Sequence, residues 1–242
     1  MRTAAAVIVS NEMIARDIYR MVLKTDLGQE TACGQFVQVA VPGYFLRRPI
    51  SVHRASEDEL SLIYRIAGDG TRTMSTLKAG ETVDLFGPLG SGFPLLDEDV
   101  TLIGGGVGVP PLVETAFRYI QAGYNVTAVL GFSDKDVMIC RDELEALGCQ
   151  VIIATMDGSA GYKGTVLDAI EQAELTVKTV LACGPLPMLK AVAARYDGYI
   201  SLEERMACGI GACMGCVIRT PDGDSRRICK DGPVFRIGEV EL

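Results

Sequence analysis

Four cysteines near the carboxyl end restrict the fold of this 242-residue chain more than any other part of its sequence. They follow the pattern C-x4-C-x2-C-x12-C, which is the plant-type spacing of the thiolate ligands of a [2Fe–2S] cluster. The glycines between them predict residues with positive φ that lie against the cluster sulfurs with no Cβ in the way. The competing interpretation is a structural zinc site, whose four thiolates more often come as two C-x2-C pairs. The cysteines are Cys208, Cys213, Cys216 and Cys229, and the glycines are Gly209, Gly211 and Gly215.

The other cysteines and the single histidine predict structural roles. Cys33, Cys140 and Cys149 lie in apolar segments, where a small buried thiol is the usual interpretation. His53 lies in the alternating stretch ISVHRAS, which is typical of a strand, and one histidine is too few for a zinc site built on several. Disulfides are not expected, because cytosolic thiols stay reduced.

The overall charge limits the classes of partner. A net charge of −8 without a basic stripe argues against nucleic acid and against an anionic membrane surface. No apolar segment approaches the roughly 18 residues that would span a bilayer, and the apolar run at the amino terminus is short. We therefore expect a cytoplasmic protein with no nucleic-acid and no membrane partner.

Hydrophobic periodicity divides the chain into three parts. Residues 1–96 contain short alternating runs separated by turn signals, which predicts an antiparallel β-barrel with one short helix over residues 71–80. Residues 97–202 alternate strands with helices, which predicts βαβ units and a parallel sheet. Residues 203–242 return to turns, glycines and cysteines. The predicted fold is a multidomain β plus α/β protein with a small carboxyl-terminal cluster domain.

A glycine-rich loop follows the first predicted strand of the parallel sheet and opens a helix. Free backbone N–H groups at such a junction bind phosphate, and open α/β sheets bind ligands at this edge. The loop is not the Rossmann fingerprint, because Pro111 stands where that pattern has glycine or alanine, and a tight structural turn is the alternative. The candidate nucleotide-binding residues are Gly104, Gly105, Gly106 and Gly108.

Cys183 ends another predicted strand of the same sheet, just before Gly184 and Pro185. Two interpretations remain open for this thiol. It is either a buried residue before a turn, or a catalytic group beside a nicotinamide ring. The acidic residues of the stretch GFSDKD, residues 131–136, favour a free ribose hydroxyl and therefore NAD over NADP, although Lys135 weakens that inference.

Several segments of the barrel carry groups that suit a flavin nucleotide. Paired arginines, a nearby hydroxyl, and a Gly-Thr pair entering a helix would supply positive charge for a pyrophosphate and donors for the flavin ring. Taken alone, each of these groups is weak evidence for a flavin site. The segments are Arg47–Ser51, Ile63–Arg65 and Gly68–Thr71.

Together, RPIS in the barrel, GGGVGVPP and CGPLPM in the sheet, and CGIGACMGC near the end resemble the ferredoxin-reductase superfamily. The resemblance covers essentially the whole chain, and its most specific part, LEERMACGIGACMGC with the later RICKDGPVF, is similar to the electron-transfer subunits of NAD-dependent (class 1B) dihydroorotate dehydrogenases. It implies FAD in the barrel and ligation of the [2Fe–2S] cluster by Cys208, Cys213, Cys216 and Cys229. The FAD residues implied are Arg48, Pro49, Ile50, Ser51, Ile63, Tyr64, Arg65, Gly70 and Thr71. Ile50 stands where the superfamily has an aromatic ring, so Tyr64 becomes a candidate to cover the flavin.

The three predicted cofactors form a relay. NAD exchanges two electrons as hydride and a [2Fe–2S] cluster takes one, so a chain that binds both needs a flavin, which does either. The resemblance implies a partner, an FMN-containing catalytic subunit that oxidises dihydroorotate in pyrimidine biosynthesis, in a heterotetramer of two of each subunit. Its electrons would pass through the cluster and FAD to NAD+. A docking patch for it is predicted from apolar residues near the ligands, namely Met206, Ile210, Met214, Val234 and Phe235.

Two alternative functions remain at this point. The first is a diaphorase-type subunit of another redox complex, such as a hydrogenase or a ferredoxin:NADP oxidoreductase. The second is a zinc-stabilised nucleotide-binding regulator without redox activity.

Overall fold

The computed structural model describes residues Met1–Leu242. Its first part is a closed antiparallel barrel with the strand order β1-β2-β5-β4-β3-β6. Apolar side chains on the inner face of the strands fill the barrel, as the alternating pattern predicts. The strands are β1 (Arg2–Ala15), β2 (Ile18–Lys24), β3 (Phe36–Val39), β4 (Arg48–Ala55), β5 (Glu59–Arg65) and β6 (Thr82–Leu89).

The predicted helix of the barrel domain is shorter than expected and begins earlier. Helix α1 spans Asp69–Met74, whereas the sequence predicted residues 71–80. The hydroxyls of Ser75 and Thr76 donate to carbonyls three residues back, which competes with continuation of the helix. The Asn11 side-chain amide donates to the Met74 and Leu77 carbonyls at 2.9 Å each and so satisfies the end of the helix.

The second part is the predicted parallel sheet. Its order is β10-β9-β8-β7-β11-β12-β15, with every pair parallel except β12 with β15. After β7 the chain adds β8, β9 and β10 in turn on one side of that strand, and it then crosses to add β11 and β12 on the other side. The topological switch point therefore lies between β7 and β11. The strands are β7 (Val100–Gly105), β8 (Val126–Phe132), β9 (Gln150–Thr155), β10 (Tyr162–Lys163), β11 (Thr179–Cys183) and β12 (Gly198–Ser201).

Four helices connect the parallel strands, as the strand-helix alternation predicts. The helix after the glycine loop begins with two prolines, whose fixed φ suits the first helical turn. The third of them begins with a capping box between Thr165 and Asp168. The helices are α2 (Pro110–Gln121), α3 (Arg141–Ala146), α4 (Val166–Gln172) and α5 (Leu186–Ala193).

The carboxyl-terminal segment is tied to both other parts. It forms a hairpin of β13 (Val217–Arg219) and β14 (Ser225–Arg227), and its last strand β15 (Val234–Arg236) joins the large sheet beside β12. The backbone N–H of Ser91, which follows the barrel, donates to the Gly232 carbonyl at 2.6 Å. No helix of the protein is long and apolar enough to cross a membrane. The predicted domain boundaries at residues 96 and 202 stay a prediction. Strand β15 lies beyond residue 202, yet its hydrogen bonds to β12 make it part of the parallel-sheet domain.

The barrel and the sheet share one apolar core and a buried charge. Ile18 and Ile63 of the barrel pack in the same cluster as Leu102 of β7. Glu114 on α2 is 0% exposed and accepts from Arg118 Nε at 2.7 Å. Its carboxylate also accepts from the Ala55 backbone N–H at 3.3 Å and lies 3.4 Å from Arg54 Nη1, so it joins α2 to strand β4.

Replacing Glu114 by alanine is expected to destabilise the protein by about 2 kcal/mol, because the Ala55 N–H and two guanidinium groups lose a buried acceptor. That corresponds to a fall of about 4–8 °C in the midpoint of thermal unfolding. The matched control is Glu145→Ala, since the Arg141–Glu145 pair has the same i,i+4 spacing as Arg118–Glu114 but is 48% and 43% exposed. We expect the control to shift the midpoint by less than about 2 °C. Equal shifts in the two variants would contradict a special role for the buried carboxylate.

Candidate functional site

Three neighbouring cavities run from the barrel to the carboxyl edge of the parallel sheet. The outer cavity, about 720 Å³, lies beside Arg47 and Arg48. The central cavity, about 290 Å³, lies between barrel and sheet and shares Pro49 with the outer one. The sheet-edge cavity, about 330 Å³, shares Arg65 and Val107 with the central one. The three cavities are therefore adjacent to one another at the junction of the parts of the chain.

The structure brings most of the predicted flavin residues to the central cavity. Thr71 is fixed there by its hydroxyl, which donates to the Gly68 carbonyl at 3.0 Å and accepts from the Ala67 N–H at 2.9 Å. Ile50 and Ser51 are half-buried on the wall that β4 provides. The predicted residues that line this cavity are Pro49, Ile50, Ser51, Ile63, Tyr64, Arg65 and Thr71.

Arg48 and Gly70 form a contact that only a glycine permits. A Cβ on Gly70 would overlap the Arg48 guanidinium, so the missing side chain lets the arginine lie against the start of α1. The same guanidinium lies 4.7 Å from the centre of the Tyr44 ring. Arg48 is thus held at the mouth of the outer cavity with its positive charge available to an anionic group.

Tyr64 lines the central cavity, although most of its side chain is enclosed by protein. The residue is only 2% exposed, its ring stacks on Tyr19 with centroids 5.9 Å apart, and its hydroxyl donates to Asn11 Oδ1 at 2.9 Å. Burial raises the pKa of the Tyr64 hydroxyl well above its ordinary value. That Tyr64 covers the flavin stays a prediction, and Ile50 lies on the wall of the same cavity.

The glycine loop divides into cavity-lining and packing residues. Gly105 and Gly106 line the sheet-edge cavity, and a 3-10 turn over Gly106–Gly108 leads into α2. Gly108 serves packing, because a Cβ there would overlap the Cys183 carbonyl. A Cβ on Gly104 would come within 2.7 Å of the Val109 side chain, so this glycine also allows close packing. Two glycines of the loop therefore border a cavity, as a binding loop requires, and two allow close packing, as a tight structural turn requires.

Cys183 lies at the carboxyl end of β11 but does not line any of the three cavities. It is 1% exposed, and burial raises the pKa of its thiol, with Glu203 adding to the effect. Pro185 and Met188, which follow Cys183 in the chain, line the sheet-edge cavity. Its predicted place beside a nicotinamide ring stays a prediction.

The acidic residues predicted to select NAD form hydrogen bonds and ion pairs with other residues of the protein. Asp134 Oδ2 accepts from Arg16 Nη2 at 2.7 Å and from the Ser133 hydroxyl at 2.9 Å. Its other oxygen accepts from the Asp136 N–H at 3.0 Å. These contacts join the barrel to the end of β8 and leave the neighbouring Ser133 on the wall of the sheet-edge cavity.

The four carboxyl-terminal cysteines come together as two pairs, three from the loop before β13 and Cys229 from the turn after β14. Within the first pair, the Cys213 N–H lies 3.4 Å from Cys208 Sγ, and within the second the Cys229 N–H lies 3.4 Å from Cys216 Sγ. The Gly211 N–H also points at Cys229 Sγ, at 3.2 Å. Two thiol pairs match the need of a two-iron cluster, in which each iron takes two of the four cysteine sulfurs.

This arrangement differs from that of a single zinc ion. Four sulfurs around one zinc, each about 2.3 Å from it, lie only about 3.8 Å apart. The four cysteines do not form such a group, because only His53, Cys140 and Glu143 bring three or more donor atoms within 4.8 Å of one another. The donor set therefore fits a [2Fe–2S] cluster better than a structural zinc ion.

The backbone of the loop favours thiolate at the exposed end of the site. Burial alone would raise the pKa of Cys208, but N–H groups of Ile210, Ala212 and Cys213 lower it to about 6. Burial and the Cys216 thiol raise the pKa of Cys229 to about 12. Gly209 and Gly211 have φ of 71° and 78° as predicted, whereas Gly215 does not, and Met214 adopts a positive φ of 59° in its place.

The predicted docking patch is partly wrong. Val234 and Phe235 are buried, because β15 pairs with β12 and turns these side chains into the core of the sheet. Ile210 and Met214 are exposed beside the cysteine pairs, and Val217 at the start of the hairpin is exposed as well. The apolar surface near the cysteines therefore consists of Ile210, Met214 and Val217.

Sequence reasoning missed Glu203, which lies at the rim of both the outer and the central cavity. The side chain keeps contact with solvent, but the protein around its carboxyl raises its pKa, and Arg65 partly offsets this. Its position two residues after the end of the last parallel strand could have indicated a place at the ligand-binding edge of the sheet. Sequence reasoning also missed Val107, which borders the central and the sheet-edge cavity and is marked in the sequence only by its place in the glycine loop.

Two models of protein families match the chain. The iron-sulfur cluster binding domain of dihydroorotate dehydrogenase B matches residues 203–241, which include the four cysteines. The oxidoreductase NAD-binding domain matches residues 102–194, which include the glycine loop and the parallel strands from β7 to β11.

Curated relatives match over the full length. The chain is 44% identical over 257 residues to the dihydroorotate dehydrogenase B (NAD(+)) electron transfer subunit of Geobacillus sp. (strain WCH70), with 100% of both chains covered. The subunit of the same name from Bacillus cereus (strain B4264) is 44% identical over 253 residues, with 98% of this chain and 97% of the relative covered.

Solved structures confirm the predicted fold class. The structure of an NADH-dependent reduced ferredoxin-NADP oxidoreductase has a TM-score of 0.90 and 32% identity, and the match covers 98% of this chain and 90% of that one. A ferredoxin NADP+ reductase from Neisseria gonorrhoeae with bound FAD and NADP shares the fold, with a TM-score of 0.66, 20% identity and coverage of 78% and 88%.

The comparisons favour one of the functional hypotheses. Both matched families are redox families, which contradicts a zinc-stabilised regulator without redox activity. The 44% identity to dihydroorotate dehydrogenase subunits exceeds the 32% identity to the ferredoxin-NADP oxidoreductase, which disfavours the diaphorase alternative. With full coverage on both sides, the chain belongs to the family of electron-transfer subunits of NAD(+)-dependent dihydroorotate dehydrogenase B.

Proposed function

We propose that this protein carries electrons between an FMN-containing dihydroorotate-oxidising subunit and NAD+, with a [2Fe–2S] cluster in the cysteine loop, FAD in the outer and central cavities, and NAD at the sheet edge. FAD supplies the exchange between hydride transfer and single-electron transfer that this route requires. The observation that carries the proposal is the adjacency of the three cavities: the central one shares Pro49 with the outer cavity and shares Arg65 and Val107 with the sheet-edge cavity.

The chain's own residues support this order of sites. Met206 lies on the wall of the central cavity and is two residues from Cys208, so the cysteine loop begins at the cavity that would hold the flavin ring. The Gln38 side chain of strand β3 donates to the Ala207 carbonyl at 3.1 Å, which fixes the start of the loop against the barrel. A short path between flavin and cluster follows from these two contacts.

The positive groups of the barrel suit the phosphates of FAD. We infer that Arg48, held between Gly70 and Tyr44, binds the pyrophosphate, while Thr71 and the backbone at the start of α1 add hydrogen-bond donors. Ser51, Ile50 and Pro49 would contact the flavin ring from the wall of the central cavity. Gly105 and Gly106 would approach the NAD phosphates at the sheet edge.

The partner is the catalytic subunit that the family name implies, and we infer that it carries FMN and assembles as two copies of each chain. It would cover the exposed surface of Ile210, Met214 and Val217, because these apolar side chains are exposed and lie within two residues of a cysteine in the sequence. One-electron transfer between proteins needs the cluster close to the interface, and apolar contact there excludes water. A cytoplasmic location stays a prediction.

The first test separates the flavin from the cluster. Cys213→Ser removes an exposed ligand, so we expect loss of iron and loss of dihydroorotate-dependent NAD+ reduction by the protein co-expressed with its catalytic partner. Reduction of FAD by NADH should persist, because the barrel and sheet are untouched. Cys149→Ser, which changes a cysteine outside the loop, serves as control. Coupled activity that survives with the iron lost would overturn the proposed route.

A second test concerns Cys183. If its thiol contacts the nicotinamide when NAD binds, Cys183→Ala should slow flavin reduction by NADH roughly tenfold or more, as misplacement of reacting groups does. Stopped-flow bleaching of the flavin gives the rate, and FAD and iron content should be unchanged. Cys149→Ala is the matched control, since it also removes a buried thiol. A rate equal to that of the control would assign Cys183 to the core alone.

The third test concerns the docking surface. Met214→Glu puts a charge into the apolar surface, and we expect affinity for the purified catalytic subunit to fall roughly tenfold, as for a residue worth about 1.4 kcal/mol. Leu95→Glu is the matched control, because Leu95 and Met214 are both 54% exposed and Leu95 lies outside the cysteine loop. Iron content must equal that of the unmodified protein. Unchanged affinity under that condition would place the partner elsewhere.

A further inference from the structure

A second group of metal-ligating side chains lies away from the cysteine loop, between the barrel and the sheet. His53 comes from strand β4, while Cys140 and Glu143 come from the beginning of α3. Their donor atoms all lie within 4.8 Å of one another. His53 Nε2 is 3.0 Å from Glu143 Oε2. The electron route described above uses none of these residues.

His53 presents its Nε2 atom to the Glu143 carboxylate. The side chain is 2% exposed, and its Nδ1 lies 3.1 Å from Ser61 Oγ. With the proton on Nε2, the 3.0 Å contact to Glu143 Oε2 is a hydrogen bond. With the proton on Nδ1 instead, which then donates to Ser61, the lone pair of Nε2 and the carboxylate converge, so a cation can take the place of that proton.

The surroundings of Glu143 resemble the outer shell of a metal site. Arg20 binds the Oε1 atom of Glu143 and leaves Oε2 toward His53. A carboxylate that binds metal through one oxygen is commonly held by a hydrogen bond at the other, and a ligating imidazole donates its second N–H. Arg20 and Ser61 would fill these two positions.

We propose that His53, Cys140 and Glu143 bind a divalent transition-metal ion of the zinc class. Nitrogen, sulfur and oxygen donors from three side chains, with one position left for water, suit Zn²⁺. In tetrahedral zinc sites a ligating nitrogen and oxygen are about 3.3 Å apart, close to the distance between His53 and Glu143. Magnesium and calcium are disfavoured, because they require more oxygen ligands.

A neighbouring cavity supplies the access that such an ion needs. It measures about 420 Å³ and is lined by Cys140 and Glu143 together with Arg20, Lys135 and Arg141. The positive charges of Arg20, Lys135 and Arg141 repel a metal ion that is held only through its water shell. The affinity for the metal must therefore come from direct bonds to the ligands, above all to the Cys140 thiolate. Burial, followed by Glu143, raises the pKa of Cys140, so the thiol is protonated in the metal-free protein. Binding therefore forms one metal–sulfur bond and releases one proton to solvent.

The bound ion would join the barrel to the nucleotide-binding part. Strand β4 belongs to the barrel and α3 connects two strands of the parallel sheet, so the ligands cross the same junction as Arg16 and Glu114. The role of such a metal is structural, because the site shares no residue with the three cavities. Its presence is independent of the proposed electron transfer.

The test uses the full-length protein with its cluster and FAD in place. After dialysis against a fixed free Zn²⁺ concentration, metal analysis should give one zinc per chain with the iron content unchanged. X-ray absorption at the zinc edge should give one sulfur and the remainder nitrogen or oxygen in the first shell. That measurement on the unmodified protein is needed because variants of buried residues can fail to fold.

Variants then identify the ligands. Cys140→Ala should abolish zinc retention, and Ser61→Ala should weaken zinc binding by roughly 10–100-fold through loss of the imidazole orientation. Cys149→Ala, which removes another buried thiol, should retain zinc fully. Added Zn²⁺ should raise the unfolding temperature of the unmodified protein but not of Cys140→Ala. The proposal is overturned if the protein retains no zinc, if four sulfurs surround the zinc, or if Cys140→Ala and Cys149→Ala retain it equally.

Discussion

The packing of the barrel against the carboxyl edge of the parallel sheet is the contact on which the rest of the structure depends. Ile18 and Ile63 extend the core of the sheet into the barrel, and the fully buried Glu114 adds a charged contact beside it. Because open parallel sheets bind ligands at this edge, closing a barrel over it creates cavities that neither part encloses alone. Arg65 and Val107 border two of these cavities because each comes from one side of the junction.

The carboxyl-terminal segment extends the same principle. It leaves the sheet after β12, crosses the barrel at Gln38 and Ser91, and returns as β15 to the strand that it left. A loop with many glycines has little core of its own, so these anchors and the metal ligands must hold its shape. The cysteine loop is therefore placed beside the central cavity by contacts that lie outside the loop.

Much of the fold and part of the site could be predicted from local pattern. The period of apolar residues separated barrel strands from strand-helix units, and the cysteine spacing favoured a two-iron cluster over a single zinc ion. Errors occurred where a residue's partner is distant in sequence. From the sequence, Phe235 is expected to be an exposed neighbour of the cysteines, but β15 pairs with β12 and buries this side chain in the core of the sheet.

The sequence by itself determined the order of the parts, the spacing of the four carboxyl-terminal cysteines and the position of the glycine loop, because these depend on spacing along the chain and on the periods of helix and strand. The tertiary structure alone decided which glycines face a cavity and which, like Gly108, allow another strand to approach. It also decided that His53 meets Cys140 and Glu143. Those outcomes depend on which faces pack together, and packing joins residues whose separation along the chain carries no signal.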